Sequence, residues 1–471
     1  MKRGLGTWDW GLGFVAVALL AATCAKAPAR VAPSAPAPPG PAPEALARVW
    51  DAEHVSSPFS PLVDHAEVAK RLDGLKQAAP DLFAIEPIGQ SIEGRSINHV
   101  RFGRGSFVVL LWSQMHGDEP SATSALFDVF EYLRRHRDEP VARRMLDALT
   151  VHVVPMLNPD GAARFQRRNA QSIDINRDAL SLQTPEGQLL KSLRDRLSPR
   201  IGFNLHNQSW RTSVGRPPKP ASISLLSVAF DEARSMNEGR VLTKKTCAII
   251  RDALEPFALG QMGRYDDEFE VRAFGDNVTK WGTPVVLIET GGWPGTGNPD
   301  PTLVRLNFTA ILTALDALAT GRVHEADPAR YDSLPENESR LFYLLVKNAS
   351  IVNGAGVAPF TGDLGIVSNR FVADEGGRKS VRLSLRIEDL GDLRTFGALE
   401  TIDATGLVAT PMFGEDLLKP GQDVTLPAWT MQQKSHATLE VGQPGGVVLL
   451  RPLGEGRYRV ERVVAPVVTL R

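Results

Sequence analysis

The chain has 471 residues, enough for two or three domains, and its composition is that of an ordinary globular protein, with 43% hydrophobic and 23% charged residues. Its net charge of −1 gives no broad basic face for nucleic acid and no acidic tail. We therefore expect no nucleic-acid partner, and composition leaves both enzymes and binding proteins open.

The N-terminal residues predict export. Residues 1–3 are a short basic segment, and residues 11–22 are an apolar run too short to span a bilayer comfortably, so we interpret 1–24 as a signal peptide. Cys24 ends the stretch LAATC, which resembles the lipobox of bacterial lipoproteins, although Thr23 stands where a smaller residue is usual. Two outcomes stay open: a membrane tether through lipidated Cys24, or cleavage near residues 25–27 without lipid. Both predict a bacterial periplasmic or cell-envelope location.

Residues 25–49 are rich in proline and alanine and show no periodic apolar pattern. This composition predicts an extended linker between the signal segment and the folded body. The second cysteine, Cys247, has no partner in the remaining chain, so we expect core packing rather than disulfides to stabilise the fold.

Residues 50–325 alternate between apolar runs of strand length and amphipathic helical patterns. The strand-like runs are 107–112, 151–157, 201–205 and 285–289, and the clearest helical stripe covers residues 122–133. This alternation predicts an α/β domain whose sheet is buried on both faces. Three chemically useful residues, His116, His206 and Glu289, lie at or just after the ends of these runs, where such sheets collect functional groups.

Residues 335–471 have a different pattern. Short alternating segments such as 380–390 and 446–453 lie between glycine and proline turns. This pattern predicts a small C-terminal all-β module, a β-rich accessory domain.

A metal site is predicted by three residues from two places in the chain. His116 and Glu119, three positions apart at a turn into a helix, can face one point, and His206 ends an apolar strand. Zinc is bound by histidine nitrogen and carboxylate oxygen, and a catalytic zinc site needs three such protein ligands. The His-x-x-Glu pattern alone occurs often by chance, so the hypothesis depends on the rest of the chain.

Several ordered blocks between about residues 60 and 320 resemble the zinc carboxypeptidase family, the M14 type. The blocks are IGQSIEGRSI at 88–97, HGDE at 116–119, PMLNPDGAARF at 155–165, RRNAQSIDINRD at 167–178, His206, and the strand ending in Glu289. The resemblance implies a carboxypeptidase-like mixed β-sheet flanked by helices. It also implies one zinc ion per chain, held by His116, Glu119 and His206.

The same resemblance implies the roles of the other residues. Glu289 would be the general base and acid that acts on a zinc-activated water, and Arg167, with Arg168 as its neighbour in register, would stabilise the oxyanion. Asn176 and Arg177 would bind the terminal carboxylate of a peptide substrate with a free C-terminus. Asp174 would orient a zinc histidine, His116.

One part of the pattern departs from the family. Its members usually carry a mobile tyrosine about twenty residues before the catalytic glutamate, and here Tyr265 precedes Glu289 by 24 residues, which leaves its substrate-binding role open. In the same segment, Arg272 either faces an acidic substrate side chain or pairs with Asp266 or Glu268; we favour the pairing.

The sequence therefore predicts a zinc-dependent exopeptidase that removes C-terminal residues from peptides. Three alternatives stay open on the same scaffold. The first is an amidase or carboxypeptidase of peptidoglycan stem peptides, the second is a deacylase of N-acyl amino acids, and the third is an inactive peptide- or glycan-binding protein. The complete set of His116, Glu119, His206 and Glu289 argues against the inactive form, because degenerate members usually lack one of these residues.

Overall fold

The computed structural model describes residues 39–56, 62–298, 300–353, 357–412, 418–425 and 438–470. The predicted signal peptide, Cys24 and the linker as far as residue 38 lie outside these ranges. The linker prediction was wrong at its C-terminal end, because a helix already begins at Pro43. This helix is ordered by packing: Leu46, Ala47 and Trp50 form an apolar face that is buried against the domain.

The helices follow one another along the first three quarters of the chain. They are α1 (Pro43–Glu53), α2 (His65–Ala78), α3 (Ser121–Arg135), α4 (Pro140–Ala148), α5 (Pro159–Arg164), α6 (Pro185–Leu197), α7 (Glu238–Leu254), α8 (Phe274–Lys280), α9 (Asp300–Thr320) and α10 (Ala329–Asp332). Two 3₁₀ turns cover Ile175–Arg177 and Arg322–Glu325.

The first ten strands belong to the part of the chain that was predicted to be α/β. They are β1 (Ala84–Gln90), β2 (Ser96–Gly103), β3 (Phe107–Ser113), β4 (Leu149–Val154), β5 (Ile201–Asn207), β6 (Thr212–Val214), β7 (Lys219–Pro220), β8 (Ile223–Ser227), β9 (Met262–Arg264) and β10 (Val285–Thr290). The four predicted apolar strands are confirmed as β3, β4, β5 and β10, and the predicted helical stripe is α3.

Eight strands form one mixed sheet in the order β1-β2-β4-β3-β5-β10-β8-β9. Its centre is parallel, since β3 pairs with β4 and β5, and β5 pairs with β10. The flanking pairs β2–β4 and β10–β8 are antiparallel. The predicted α/β class is therefore correct, and the central strands end at a common edge of the sheet.

Alternate residues of the central strands enter two different apolar cores. In β3, Val109 and Leu111 belong to the core that also contains residues of α1, α2, α3, α4, α7 and α9, whereas Leu110 and Trp112 belong to the core that contains residues of α6 and α8. This alternation is the two-residue period of a strand that is covered on both faces.

Helix α9 is long and apolar enough to cross a membrane by length and composition, and no other helix of the described ranges passes that test. In this fold 83% of its apolar window is buried, against α3, α4 and α7 among others. We therefore interpret α9 as the central core helix of the α/β unit.

The C-terminal module is all-β, as predicted. Its strands are β11 (Glu338–Ser339), β12 (Leu341–Ile351), β13 (Phe360–Glu375), β14 (Arg378–Gly391), β15 (Gly397–Asp403), β16 (Val408–Pro411), β17 (Asp423–Thr425), β18 (Val447–Gly454), β19 (Arg457–Val464) and β20 (Val467–Thr469). All but β11 form a single sheet, in which β15 pairs with β12 beside the path β17-β19-β18-β16-β12-β13-β14-β20.

Strand β11 belongs to a small separate sheet that connects the two parts of the chain. It pairs with β6, which in turn pairs with β7, so the start of the C-terminal module is hydrogen-bonded to the loop that follows β5. This attachment brings the module close to the edge of the central sheet where β5 and β10 end.

Candidate active site

The three strands that carry the predicted site are neighbours in the sheet. Strands β3, β5 and β10 lie side by side and run parallel. In the register of β5 and β10, His206 is paired with Glu289. The loop after β3 carries His116 and Glu119 to the same edge, so the long separation of these residues in sequence is closed by the sheet.

The predicted metal ligands form a compact buried group. The Nδ1 atoms of His116 and His206 are 3.1 Å apart, and they lie 2.8 and 2.7 Å from the two carboxylate oxygens of Glu119. All three side chains are less than a tenth exposed. Two imidazole nitrogens and one carboxylate are donors that zinc uses in proteins, so this set fits the ion. In the part of the chain that the structure describes, no other three such residues come together in this way.

The turn that presents His116 and Glu119 depends on a close backbone approach. Leu157 and Asn158 donate their amides to the carbonyls of Ser113 and Gln114, which fixes the loop after β3 against the start of α5. A Cβ atom at Gly117 would lie 2.0 Å from the backbone of Gly161, so glycine is required between the two ligands.

The N-P-D-G block holds this region together without entering the metal group. The side chain of Asn158 caps α5 by accepting a hydrogen bond from the Gly161 amide, and its Nδ2 donates to the carbonyls of Met115 and Arg167. Asp160 is fully buried and accepts hydrogen bonds from Ser91, the Glu93 amide and Arg95. The early 88–97 block and the 167–178 block are therefore both tied to the turn that carries the ligands.

Asp174 lies behind His116, as the sequence predicts. Its Oδ1 is 3.1 Å from His116 Nε2, an arrangement that leaves Nδ1 of the ring facing the other ligands. Arg167 donates from Nε to the second oxygen of Asp174 at 2.9 Å, and its Nη1 lies 3.0 Å from His116 Nδ1. Arg168 instead is exposed and donates to the carbonyl of Ser172, so Arg167 rather than Arg168 faces the ligand group.

The ligand group is strongly coupled electrostatically. Burial lowers the pKa of His116, but the charge of Glu119 and the hydrogen bonds that the ring donates to Asp174 and Glu119 outweigh it and raise that pKa to about 9. Burial dominates at His206 and lowers its pKa even though Glu119 is adjacent. Burial disfavours ionised Glu119, but His116 and His206 outweigh this and hold the pKa of its carboxyl well below the ordinary range. The carboxylate of Glu119 therefore stays ionised at the point where a cation would bind.

Glu289 is buried beside this group and has an unused oxygen. Among the residues that the structure describes, its Oε2 has no hydrogen-bond partner. Burial, reinforced by the negative charge of Glu119, raises its pKa well above the ordinary value, against the opposing effect of His116 and Arg167. A carboxylate in this setting has a high affinity for a proton, which suits a general base.

The predicted substrate-binding residues line the same cleft, which has a volume of about 580 Å³. Asn176 accepts a hydrogen bond from the Phe274 amide, so the 3₁₀ turn that also carries Arg177 is anchored to α8. Arg177 is about one third exposed, and its nearest acidic partner is Glu270 at 3.4 Å. Tyr265 lies across the cleft, where burial raises the pKa of its phenol to about 12.

Arg272 forms an ion pair, as predicted, but the predicted partners Asp266 and Glu268 were wrong. Arg272 pairs with Glu270 at 3.2 Å, and its side chain is more than half exposed. The reason is local: the backbone amide of Arg272 also donates to Glu270, which closes a short turn that holds the two side chains together.

The cleft has two ends that the sequence did not reveal. One end, here called the inner pocket, continues along the sheet face beneath Glu289 and adjoins Asn176 through α8. Its residues are Asn204, Leu226, Leu287, Gly275 and Asp276. The other end, here called the outer wall, lies beyond the sheet edge and consists of Gln208, Ser209, Thr212, Asn337, Glu338 and Ser339. No spacing motif marks either set, because their members come from segments far apart in the chain.

Comparison with known proteins gives a match at the same residues. A sequence model of the family described as zinc carboxypeptidase matches residues 68–210, a range that contains the three metal-ligand candidates and ends before Glu289. Carboxypeptidase 2 of Trichophyton tonsurans is 31% identical over 143 residues, which are 29% of this chain and 26% of that protein. Carboxypeptidase E of Caenorhabditis elegans is 28% identical over 200 residues, covering 37% and 41% of the two chains. The chain thus spans well under half of either curated relative.

Solved structures also share similarity with part of the chain. A metallo-carboxypeptidase from Pseudomonas aeruginosa is 16% identical, with a TM-score of 0.44, over 54% of this chain and 68% of that one. Carboxypeptidase A from Helicoverpa armigera is 16% identical, with a TM-score of 0.44, over 62% and 80%. Residues 68–210, in which His116, Glu119 and His206 are gathered at one point, therefore match the zinc carboxypeptidase family.

Proposed function

We propose that this protein is a metallocarboxypeptidase that hydrolyses the last peptide bond of peptides with a free C-terminus. The observation that carries the proposal is the shared cleft, in which the His116–Glu119–His206 group and the buried Glu289 lie beside Asn176 and Arg177. A zinc ion held by the three ligands would polarise the scissile carbonyl and lower the pKa of a water molecule at the site.

Glu289 is the proposed proton carrier. Its carboxylate takes a proton from the attacking water and delivers one to the departing amine. Its burial and unpaired Oε2 favour this role, because desolvation increases its affinity for the proton that it must accept.

Arg167 is proposed to stabilise the negative charge that develops on the carbonyl oxygen. The guanidinium lies at the edge of the ligand group, where Asp174 fixes it through the bond to Nε. Since Asp174 also holds His116, one carboxylate orients both a metal ligand and the charged donor.

Asn176 and Arg177 are proposed to bind the terminal carboxylate. Arg177 is held by the bond that its Nη1 donates to the Asn176 carbonyl at 2.8 Å, and its ion pair with Glu270 is long and about one third exposed. A substrate carboxylate can replace such a pair with a bidentate contact. The inner pocket then receives the side chain of the terminal residue, because it adjoins these two residues through α8.

The test compares matched peptides with a free and an amidated C-terminus, followed by mass spectrometry. We expect release of single C-terminal residues from the free peptides only, and at least about tenfold slower cleavage of the amides, since one charge-assisted contact contributes about 1.5–3 kcal/mol. Equal rates on both forms would contradict an exopeptidase. A muropeptide pool in the same assay separates the peptidoglycan alternative, which predicts faster cleavage of stem peptides than of linear peptides.

We also propose that the protein is exported and held at the bacterial envelope through its N-terminal residues. The basic and apolar segments before Cys24 support this location. Expression of the wild type and of Cys24→Ala, followed by fractionation and mass analysis of the N-terminus, tests it. Membrane association of the wild type alone is expected, and wild-type protein in the cytosol with an intact N-terminus would contradict it.

A further inference from the structure

The C-terminal module is attached to the α/β unit at the candidate cleft. The segment Asn337–Ser339 comes directly before β12, the first strand of the module's large sheet, and all three of its residues line the cleft. Strand β11 pairs with β6 through Glu338 and Ser213 and through Ser339 and Thr212. The module therefore supplies part of the outer wall itself.

The side chain of Asn337 connects the residue that follows β5 to strand β8, the neighbour of β10. Its Nδ2 donates to Gln208 Oε1 at 3.0 Å, and its Oδ1 accepts from Ser224 Oγ at 2.9 Å. Gln208 closes the triangle by donating to Ser224 Oγ at 2.8 Å. Gln208 follows His206 by two residues, and Ser224 is the register partner of Glu289.

The surroundings leave Asn337 little freedom to move. Its backbone amide donates to the Arg264 carbonyl at 3.1 Å, and the Arg264 amide donates to the Pro335 carbonyl at 2.7 Å. Gly263 lies in β9, and a Cβ atom there would be 2.2 Å from Asn337 Oδ1. Glycine at this position therefore leaves room for the Asn337 side chain. The half-buried Asn337 is thus held by Gln208, Ser224 and the Arg264 backbone, while the segment Asn337–Ser339 lines the cleft.

The chemistry of the outer wall fits a peptide main chain. Amides and hydroxyls dominate it, and its one carboxylate, Glu338, is already paired with Arg216 and Arg340. A surface of this kind donates and accepts hydrogen bonds without selecting a charge or a large apolar group. It lies at the opposite end of the cleft from the inner pocket and the two residues that bind the terminal carboxylate.

We propose that the outer wall binds the main chain of the substrate on the acyl side of the cleaved bond, and that Asn337 is the positioning residue that connects the C-terminal module to it. This inference rests on the proposed function and deepens it. The module is then a component of substrate binding, and the enzyme favours longer peptides irrespective of the side chains preceding the cleaved bond.

The experiment measures kcat and KM of the holoenzyme on N-acetyl dipeptides and on pentapeptides with the same last two residues. For Asn337→Ala, kcat/KM on the pentapeptides should fall about tenfold, the size of one or two neutral hydrogen bonds, while the dipeptides change less than about twofold. Asn337→Ser, which keeps a hydroxyl, should show a smaller loss with the same dependence on length. The double variant Gln208→Ala with Asn337→Ala should lower kcat/KM on the pentapeptides by a smaller factor than the product of the two single-variant factors, because the two residues share one hydrogen-bond network.

Glu336→Ala is the matched control. Glu336 is the preceding residue, its side chain is 79% exposed, and it pairs with Arg264 away from the cleft. The control should match the wild type on both substrate lengths. An equal loss on short and long substrates, or no loss for Asn337→Ala, would overturn the role of the outer wall and leave the carboxypeptidase proposal intact. A wild type that cleaves neither substrate would overturn both.

Discussion

The metal-ligand group and the outer wall border the same cleft but are built differently. His116, Glu119 and His206 are buried, and two of them come from one four-residue block. The residues of the outer wall are mostly half-buried or exposed, and they come from segments more than a hundred positions apart. The buried ligands thus stand at strand ends and in short blocks that a sequence pattern can reveal, although the sheet must bring them together, whereas the substrate-facing rim is assembled by the contact between the α/β unit and the C-terminal module.

The supports of the two regions differ in the same way. Asp174 and the N-P-D-G block hold the ligand group from inside the α/β unit. The loops after β5 and β10 are held from outside: Trp210 donates to the Ser368 carbonyl at 3.1 Å, and Tyr343 donates to the Thr296 carbonyl at 3.0 Å. Damage to the first region should therefore abolish chemistry, and damage to the second should loosen the cleft.

The largest effect is expected at the buried end. Glu289→Gln keeps the shape of the side chain but removes the proton acceptor, so kcat should fall at least about a hundredfold, the low end of general acid–base contributions. Zinc content should be unchanged, since Glu289 is not among the three ligand candidates. Steady-state kinetics and metal analysis of the same preparation check both statements.

Glu268→Gln is the control for this variant. Glu268 also lines the cleft, but it is exposed and, within the described ranges, forms no ion pair. Its kcat should stay within about twofold of the wild type, since a solvated carboxylate away from the reacting atoms contributes little. Turnover by Glu289→Gln at the wild-type rate would move the base to another residue.

An intermediate effect is expected where the C-terminal module holds the catalytic loops. Trp210 packs edge-on against Tyr343, with ring centroids 6.1 Å apart, and against the module's apolar cores. Trp210→Ala should reduce the free energy of unfolding by about 2–3 kcal/mol, below the range for a fully buried tryptophan because this one is half-buried. Faster hydrogen exchange in residues 208–214 should accompany it.

Trp210→Phe separates packing from hydrogen bonding at this position. It keeps an aromatic ring near Tyr343 but removes the bond to Ser368, so the loss should be about 1 kcal/mol. Unfolding measured by calorimetry compares the two variants. If Trp210→Ala and the wild type unfold alike, the module does not support the loop after β5.

The smallest effect is expected in the inner pocket and depends on pH. Burial raises the pKa of Asp276 to about 7, so its carboxyl is mostly neutral at pH 6 and mostly charged above pH 8. The ratio of kcat/KM for peptides ending in lysine to those ending in leucine should therefore rise about fivefold over this interval, consistent with roughly 1 kcal/mol for one partly solvated ion pair. The ratio removes pH effects that both substrates share.

Asp276→Asn should make this ratio independent of pH while keeping an acceptor for the Glu270 amide. Glu270 does not supply the same signal, because hydrogen bonding to Arg272 lowers its pKa and keeps it charged throughout the interval. A ratio that still rises with pH in the variant would place the responsible group elsewhere.

Much of the site could be predicted from the sequence, and the reason is visible in the structure. The predicted strands β3, β5 and β10 are buried on both faces, so their apolar runs are continuous, and polar residues at their ends stand out. Asp174 lies next to His116 as predicted, and Arg167 is hydrogen-bonded to Asp174, because a short loop closed by Asn169 keeps the two residues near each other in sequence and space.

The remainder depended on tertiary contacts. Helix α1 falls in a proline- and alanine-rich segment and is ordered by burial of Trp50, whose indole donates to Asp128, 78 residues away. Asn337 and Asp276 carry no local pattern, since Asn337 gains its role from the attachment of a second module and Asp276 from the burial of the first turn of α8 in the cleft. The partner of Arg272 is set by a short turn in which the Arg272 amide also donates to Glu270, and no sequence pattern marks this turn.

The central claim is that His116, Glu119 and His206 hold one zinc ion, and metal analysis of purified protein tests it most directly. The measurement compares the wild type with His206→Ala after zinc supplementation and removal of free metal. We expect about one zinc per chain in the wild type and almost none in the variant, because losing one of three buried ligands leaves an incomplete site. A wild type without zinc, or a variant that holds as much as the wild type, would contradict it.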